Sequence, residues 1–181
     1  MYVLFALYKE SFLLQYQIME NVTVENFIQD YLIKQIGEVK ACHPYFTFAL
    51  IAIGIEFLGK CQNSYADWNY YKPSQPEKDF NLGLSIPPLN KYSNMGLYQN
   101  LRNGMAHSFL TKGKLLLSNT HNSESNCLDL DEFYANFADA CRKVVDGRIQ
   151  LPVKKLSDTF FNVKEIVNTN GLKSSISGDT K

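Results

Sequence analysis

Residues 45–62 constrain this chain more than any other stretch. Pro44 stands just ahead of them, where a proline's missing N–H costs nothing and its fixed φ suits the first turn of a helix. Phe46, Phe48, Leu50, Ile51, Ile53, Ile55, Phe57 and Leu58 then leave hardly any side of a helix polar. A helix that is apolar nearly all round belongs at the centre of a bundle, where other helices cover it. The unbroken run, residues 46–55 with Thr47 inside it, stops at Glu56 and falls short of the roughly 20 residues a bilayer span needs. A soluble protein with no membrane partner is therefore expected. Gly54 and Gly59 each cost on the order of 1 kcal/mol against alanine, and close approach of a second helix would offset that. Glu56, the lone charge within the apolar stretch, either pairs with Lys60 four residues on, the ordinary outcome, or braces Arg102 from across the bundle.

Two further segments carry helical spacing. Phe27, Tyr31, Leu32 and Ile36 predict a helix over 24–39, with Asn21 or Thr23 as its cap. Phe133, Phe137, Ala140, Cys141 and Val144 predict another over 131–146, capped by Asp129 or Asp131 and ended by Gly147. Between the first pair and the last lies a different texture. Tyr65, Trp68, Tyr70 and Tyr71 sit among polar residues, followed by Pro73, Pro76, Pro87 and Pro88, which reads as a long excursion with one short helical turn near 79–84. Its rings pin a loop to the bundle more readily than they stack on unpaired bases. Residues 114–118 and 127–130 flank a segment rich in Asn and Ser, which suits a small β-hairpin or two extended arms, with His121 at the tip.

The fold class expected is all-α: a bundle of four to five main helices, with room for a small β-hairpin between a helix over 95–110 and the helix over 131–146. Residues 1–23 read as an N-terminal extension or extra helix, with Met19 an alternative start; 24–165 form the helical domain, with another short helix beyond Pro152; 166–181 read as a disordered tail.

Charge and cysteine usage narrow the function. Eighteen Lys and Arg balance eighteen Asp and Glu, so the chain is no electrostatic coat for nucleic acid. A local basic run, Arg142, Lys143, Arg148, Lys154 and Lys155 against Asp146, reads first as a solvated helix end and second as a guide for an RNA backbone. Cys42, Cys61, Cys127 and Cys141 show no metal-ligand spacing, which points to reduced thiols, a cytoplasmic location and no zinc. His43 reads as a helix-entry residue. There is no HExxH, no Gly-rich phosphate loop and no acidic cluster, so no cofactor and no metal is expected.

Residues 95–110 form the remaining helix. Advancing about 100° per residue puts Leu97, Tyr98, Leu101, Met105 and Phe109 on the inward face, and Asn103 with His107 on the opposite side. Arg102 lies about 140° round from His107, so the two are not stacked neighbours; only the long reach of arginine brings them to one substrate, which suggests a cleft shared with a second surface. Ser108 beside His107, and Cys42 beside His43, point apart and form no nucleophile–base pair.

The string Leu101-Arg102-Asn103-Gly104-Met105-Ala106-His107-Ser108 resembles the Arg-x4-6-His signature of the HEPN superfamily, whose common form has a polar residue, often asparagine, after the arginine. As an architecture the resemblance spans about 24–147. It implies an all-α bundle that usually dimerises with two motifs face to face and that in many members is a metal-independent ribonuclease. On that footing His107 handles the proton of a ribose 2′-hydroxyl or of the leaving oxygen, imidazole being the side chain that ordinarily titrates near neutrality. Arg102 holds the scissile phosphate, and Asn103 orients the histidine or donates to the phosphate. The product implied is a 2′,3′-cyclic phosphate. Three readings stand: a homodimeric endoribonuclease of toxin or defence type, with an antitoxin or other protein as partner; a non-catalytic module that binds RNA, a nucleotide or a protein; and a helical protein whose motif is coincidence.

Overall fold

Thr23 opens the first helix by holding extended backbone and accepting the N–H of Asn26 on its hydroxyl at 3.1 Å. The computed structural model describes residues 22–64, 68, 72–120, 124, 126–151 and 155–161. The expectations for 1–21 and 162–181, and those for Tyr65, Tyr70, Tyr71, His121 and Lys154, lie outside the described residues. Within them the chain is mostly helical, as expected, with two small two-stranded sheets.

A two-residue strand, β1 (Val22–Thr23), leads into α1, which runs through Val24–Asn26, a stretch of wider i→i+5 bonding over Phe27–Gln35, and Ile36–Cys42. His43 separates α1 from α2 (Pro44–Gln62), with Pro44 in the first turn as the spacing predicts. Helix α2 packs against α1, against α3 (Gln75–Leu84) and against the two helices that follow, and its Phe48, Ile51, Ala52, Ile55 and Leu58 lie in the core. It is not covered all round, however: Phe46 and Ile53 remain 51% and 58% exposed. By length and composition this helix is apolar enough to cross a membrane, and half of it is buried inside the fold.

The glycines of α2 do what their cost suggested. A Cβ on Gly59 would fall 1.6 Å from the carbonyl oxygen of Asp79, and one on Gly83 would fall 1.9 Å from that of Ile55. Helices α2 and α3 therefore meet backbone to backbone. Gly54 in turn makes room for the ring of Phe137. The short turn predicted at 79–84 is thus a ten-residue helix, because Pro76 occupies its first turn instead of breaking it.

After a 3₁₀ turn over Leu89–Met95 and a left-handed Gly96, α4 comprises a wide i→i+5 turn, Tyr98–Arg102, and an α-helical turn and a half, Asn103–Ser108. It is shorter than the predicted 95–110, since Gly96 (φ 59°) and Phe109 (φ 55°) bound it with left-handed backbone. Next come β2 (Leu116–Ser118) and β3 (Cys127–Asp129), which pair in parallel, Leu116 opposite Cys127. The hairpin expectation is corrected here. Asn126 accepts the Leu116 N–H on its carbonyl at 3.0 Å and donates its amide to the carbonyl of Lys114, which clamps the start of one strand to the start of the other.

Asp129 caps α5 (Leu130–Val145), its carboxylate accepting the Glu132 N–H at 2.8 Å, and Gly147 ends it at φ 69°. Phe133 and Phe137 carry α5 into the core beside Phe48 and Tyr92. Of the helix expected beyond Pro152, the described residues show a single 3₁₀ turn, Lys155–Ser157. It leads to β4 (Thr159–Phe161), antiparallel to β1, so both ends of the described chain meet. Trp68 stacks on Phe57 at 5.8 Å, so this ring packs against the bundle as expected.

Candidate functional site

Gly104 explains why the motif turns as it does. The carbonyl oxygen of Leu110 lies 2.4 Å from where a Cβ on Gly104 would sit, so the chain leaving α4 folds straight back over that glycine. Phe109 makes the reversal with a left-handed backbone that asparagine or glycine would adopt more easily. The hydroxyl of Tyr45 donates to the Phe109 carbonyl and holds the turn against α2. Ser108 spends its hydroxyl on the Gly104 carbonyl at 2.8 Å.

Arg102 ends the wide turn of α4 and reaches α2, where Nε donates to Glu56 Oε2 at 2.7 Å and Nη2 to Oε1 at 3.4 Å. Both side chains are about three-quarters buried, at 24% and 23% exposure. The ordinary Glu56–Lys60 pairing is therefore corrected in favour of Glu56 with Arg102. A two-pronged pair shielded between helices outcompetes a single exposed contact along one helix. Nη1 donates to Asn103 Oδ1 at 3.2 Å, and the guanidinium lies 5.8 Å from the centre of the Tyr98 ring. Of the five N–H groups a guanidinium carries, three are so engaged, which leaves one on each terminal nitrogen without a partner among the described residues.

Asn103 donates in turn to Gln99 Oε1 at 3.3 Å. Gln99 and Tyr98 were absent from the sequence reading of the site; their spacing of four residues from Asn103 and from Arg102 on the helix was the signal for both. His107 stands apart. It is exposed and makes no hydrogen bond among the described residues. The structure thus joins Glu56, Arg102 and Asn103 in one network and leaves His107 outside it.

Beside Arg102 runs a groove of about 190 Å³ between α2 and α4. Phe46, Ala49 and Ile53 form one wall, and Met105, Ala106 and Phe109 the other. Phe109 was expected on the inward face; its left-handed backbone turns it out, and it is 66% exposed.

The other candidates disperse. Lys143 pairs with Asp139 at 2.9 Å and Arg148 with Asp146 at 2.7 Å, so two cations of the basic run are engaged by neighbouring carboxylates. Lys155 is buried, its ammonium donating to the carbonyls of Lys60 at 3.3 Å and Asn63 at 2.5 Å at the end of α2. All four cysteines are free thiols, and burial pushes Cys61 up to about 12 and Cys141 well above the ordinary range. Among the described residues no three His, Cys, Asp or Glu side chains gather as a metal site would require. No family model, no curated protein and no solved structure matches this chain.

Proposed function

We propose that the chain is a metal-independent endoribonuclease of the HEPN type whose site is completed by a second copy of itself. The observation that carries this reading is Arg102: a guanidinium braced by Glu56, steadied by Tyr98 and Asn103, with two N–H groups that no described residue engages. Phosphate is the anion whose several oxygens such donors, one on each terminal nitrogen, bind well. His107, exposed on the same helix, supplies the proton chemistry from the partner copy. One imidazole takes the proton of the 2′-hydroxyl as its oxygen attacks phosphorus, the 5′-oxygen leaves with a proton from the imidazolium, and the products are a 2′,3′-cyclic phosphate and a 5′-hydroxyl. Arg102 offsets the charge that builds on the phosphoryl oxygens. Glu56 acts through Arg102 and is a positioning residue. A cytoplasmic toxin or defence role, restrained by a protein partner of antitoxin type, goes with this reading.

One observation favours a second reading, a module that binds RNA without cutting it. Within one chain Arg102 turns to α2 while His107 faces solvent, so a monomer brings only one of them to a phosphate. Digestion of RNA in EDTA with analysis of the new ends separates the two. The nuclease reading expects cyclic-phosphate ends from the wild type and a loss of about 100-fold or more in His107→Ala, the range general acid–base groups contribute. Binding without cleavage in both proteins would establish the module instead, and a strict monomer would remove the composite site.

A further inference from the structure

The groove beside Arg102 takes no part in the reaction above, yet its construction is specific. We infer that it seats one nucleobase of the bound strand, next to the phosphate on Arg102; this rests on the phosphate role of Arg102 and not on cleavage.

Size comes first. At about 190 Å³ the groove is smaller than the roughly 300–1,000 Å³ of sites for whole small molecules, and it suits a single flat ring. Chemistry comes next. Its lining is apolar except for Arg102, and two aromatic rings, Phe46 from α2 and Phe109 from the end of α4, stand at it 51% and 66% exposed. A base has two apolar faces, and stacking on such rings is tolerant of sequence because every base offers a π-face. The groove's one charged lining group is Arg102, which Glu56 holds through Nε and Nη2 and which keeps an unengaged N–H on each terminal nitrogen among the described residues. A ligand that is flat and apolar in one part and anionic in the adjoining part matches this in shape and charge. A nucleotide has that form; an unmodified aromatic side chain of a protein carries no anion beside its ring.

Phe109 adds a separate reason. Glycine is the ordinary residue at a left-handed helix end, and a phenylalanine there is strained and gains little burial in return. Its ring is held at the groove by a turn that does not need it.

The test is calorimetric titration of the full chain with adenosine 3′-monophosphate and with ribose 5-phosphate, which offers a phosphate without a base. Adenosine monophosphate is expected to bind about tenfold more tightly, in line with the stacking of one base. Phe46→Ser and Phe109→Gly should each shrink that advantage several-fold and leave ribose phosphate binding unchanged; Phe109→Gly relieves the backbone, so misfolding does not account for its effect. Equal affinity for the two ligands, or an advantage that survives both substitutions, overturns the base seat. So does a Phe109→Gly variant that turns a dimer into a monomer with no base preference lost, since the rings then belong to the contact between copies. Base preference in a wild type that never cuts RNA would sink the nuclease and keep the seat, whereas cleavage without base preference would do the reverse.

Discussion

Arg102 and His107, so close in the chain, have different structural debts to the fold, and their substitutions should show it. Arg102→Ala leaves the Glu56 carboxylate three-quarters buried with its partner gone, and a loss of about 1–2 kcal/mol is expected in urea denaturation. His107→Ala, which removes an exposed side chain without a hydrogen bond among the described residues, should lie within about 0.5 kcal/mol of the wild type. A large loss in His107→Ala would make it a structural residue and deprive the proposed chemistry of its cleanest probe. Phe109→Gly is expected to gain about 0.5–1 kcal/mol, because glycine meets no Cβ penalty at φ 55° and the ring is two-thirds exposed. Unchanged or lower stability would mean the ring is held by contacts that outweigh the strain.

Helices α2 and α3 depend on one another through Gly59 and Gly83, and neither position has room for a methyl group. Both would press a Cβ into backbone that cannot rotate away, at 1.6 and 1.9 Å from carbonyl oxygens. Gly59→Ala and Gly83→Ala are each expected to cost about 3 kcal/mol or more, at the upper end of overpacking. Gly147 is the control: nothing lies within 4 Å of its would-be Cβ, so alanine there meets only the cost of left-handed backbone, about 1 kcal/mol. Denaturation midpoints of the three variants check the ordering, and a mild Gly83→Ala would show that the helices slide apart easily. The same contact places the site, since it is α2, set by α3 on one side, that presents Glu56, Phe46 and Ile53 to α4 on another.

Across the whole molecule the buried thiols set the alkaline limit. Unfolded cysteines lose their protons near pH 8.5, whereas burial raises Cys61 to about 12 and Cys141 well above the ordinary range. Above that pH the folded chain binds more protons than the unfolded one, so stability falls as pH rises from about 9 toward 12. Lys155 works in the other direction: burial lowers its ammonium, and its share of stability grows as pH climbs to about 10.5. Burial raises the Tyr92 and Tyr134 phenols as well, which act in the same direction as the thiols, and the urea midpoint should drop between pH 8 and pH 11, less so in Cys141→Ala. A flat profile would mean the thiols ionise as freely inside as outside. Most of this architecture was legible along the chain. The apolar run of α2 announced a central helix, Thr23, Pro44, Asp129 and Gly147 marked helix ends, and Gly54 and Gly59 announced close neighbours, because periodicity and capping are local properties that each residue carries with it. Partner choice was not local. Glu56 had a suitable lysine four residues away and took an arginine 46 positions on; Phe109 had the spacing of a core residue and turned outward; two strands fit for a hairpin paired in parallel. In each case the outcome depended on which surfaces the packed helices brought within a few ångströms of one another, a distance that spacing along the chain does not encode.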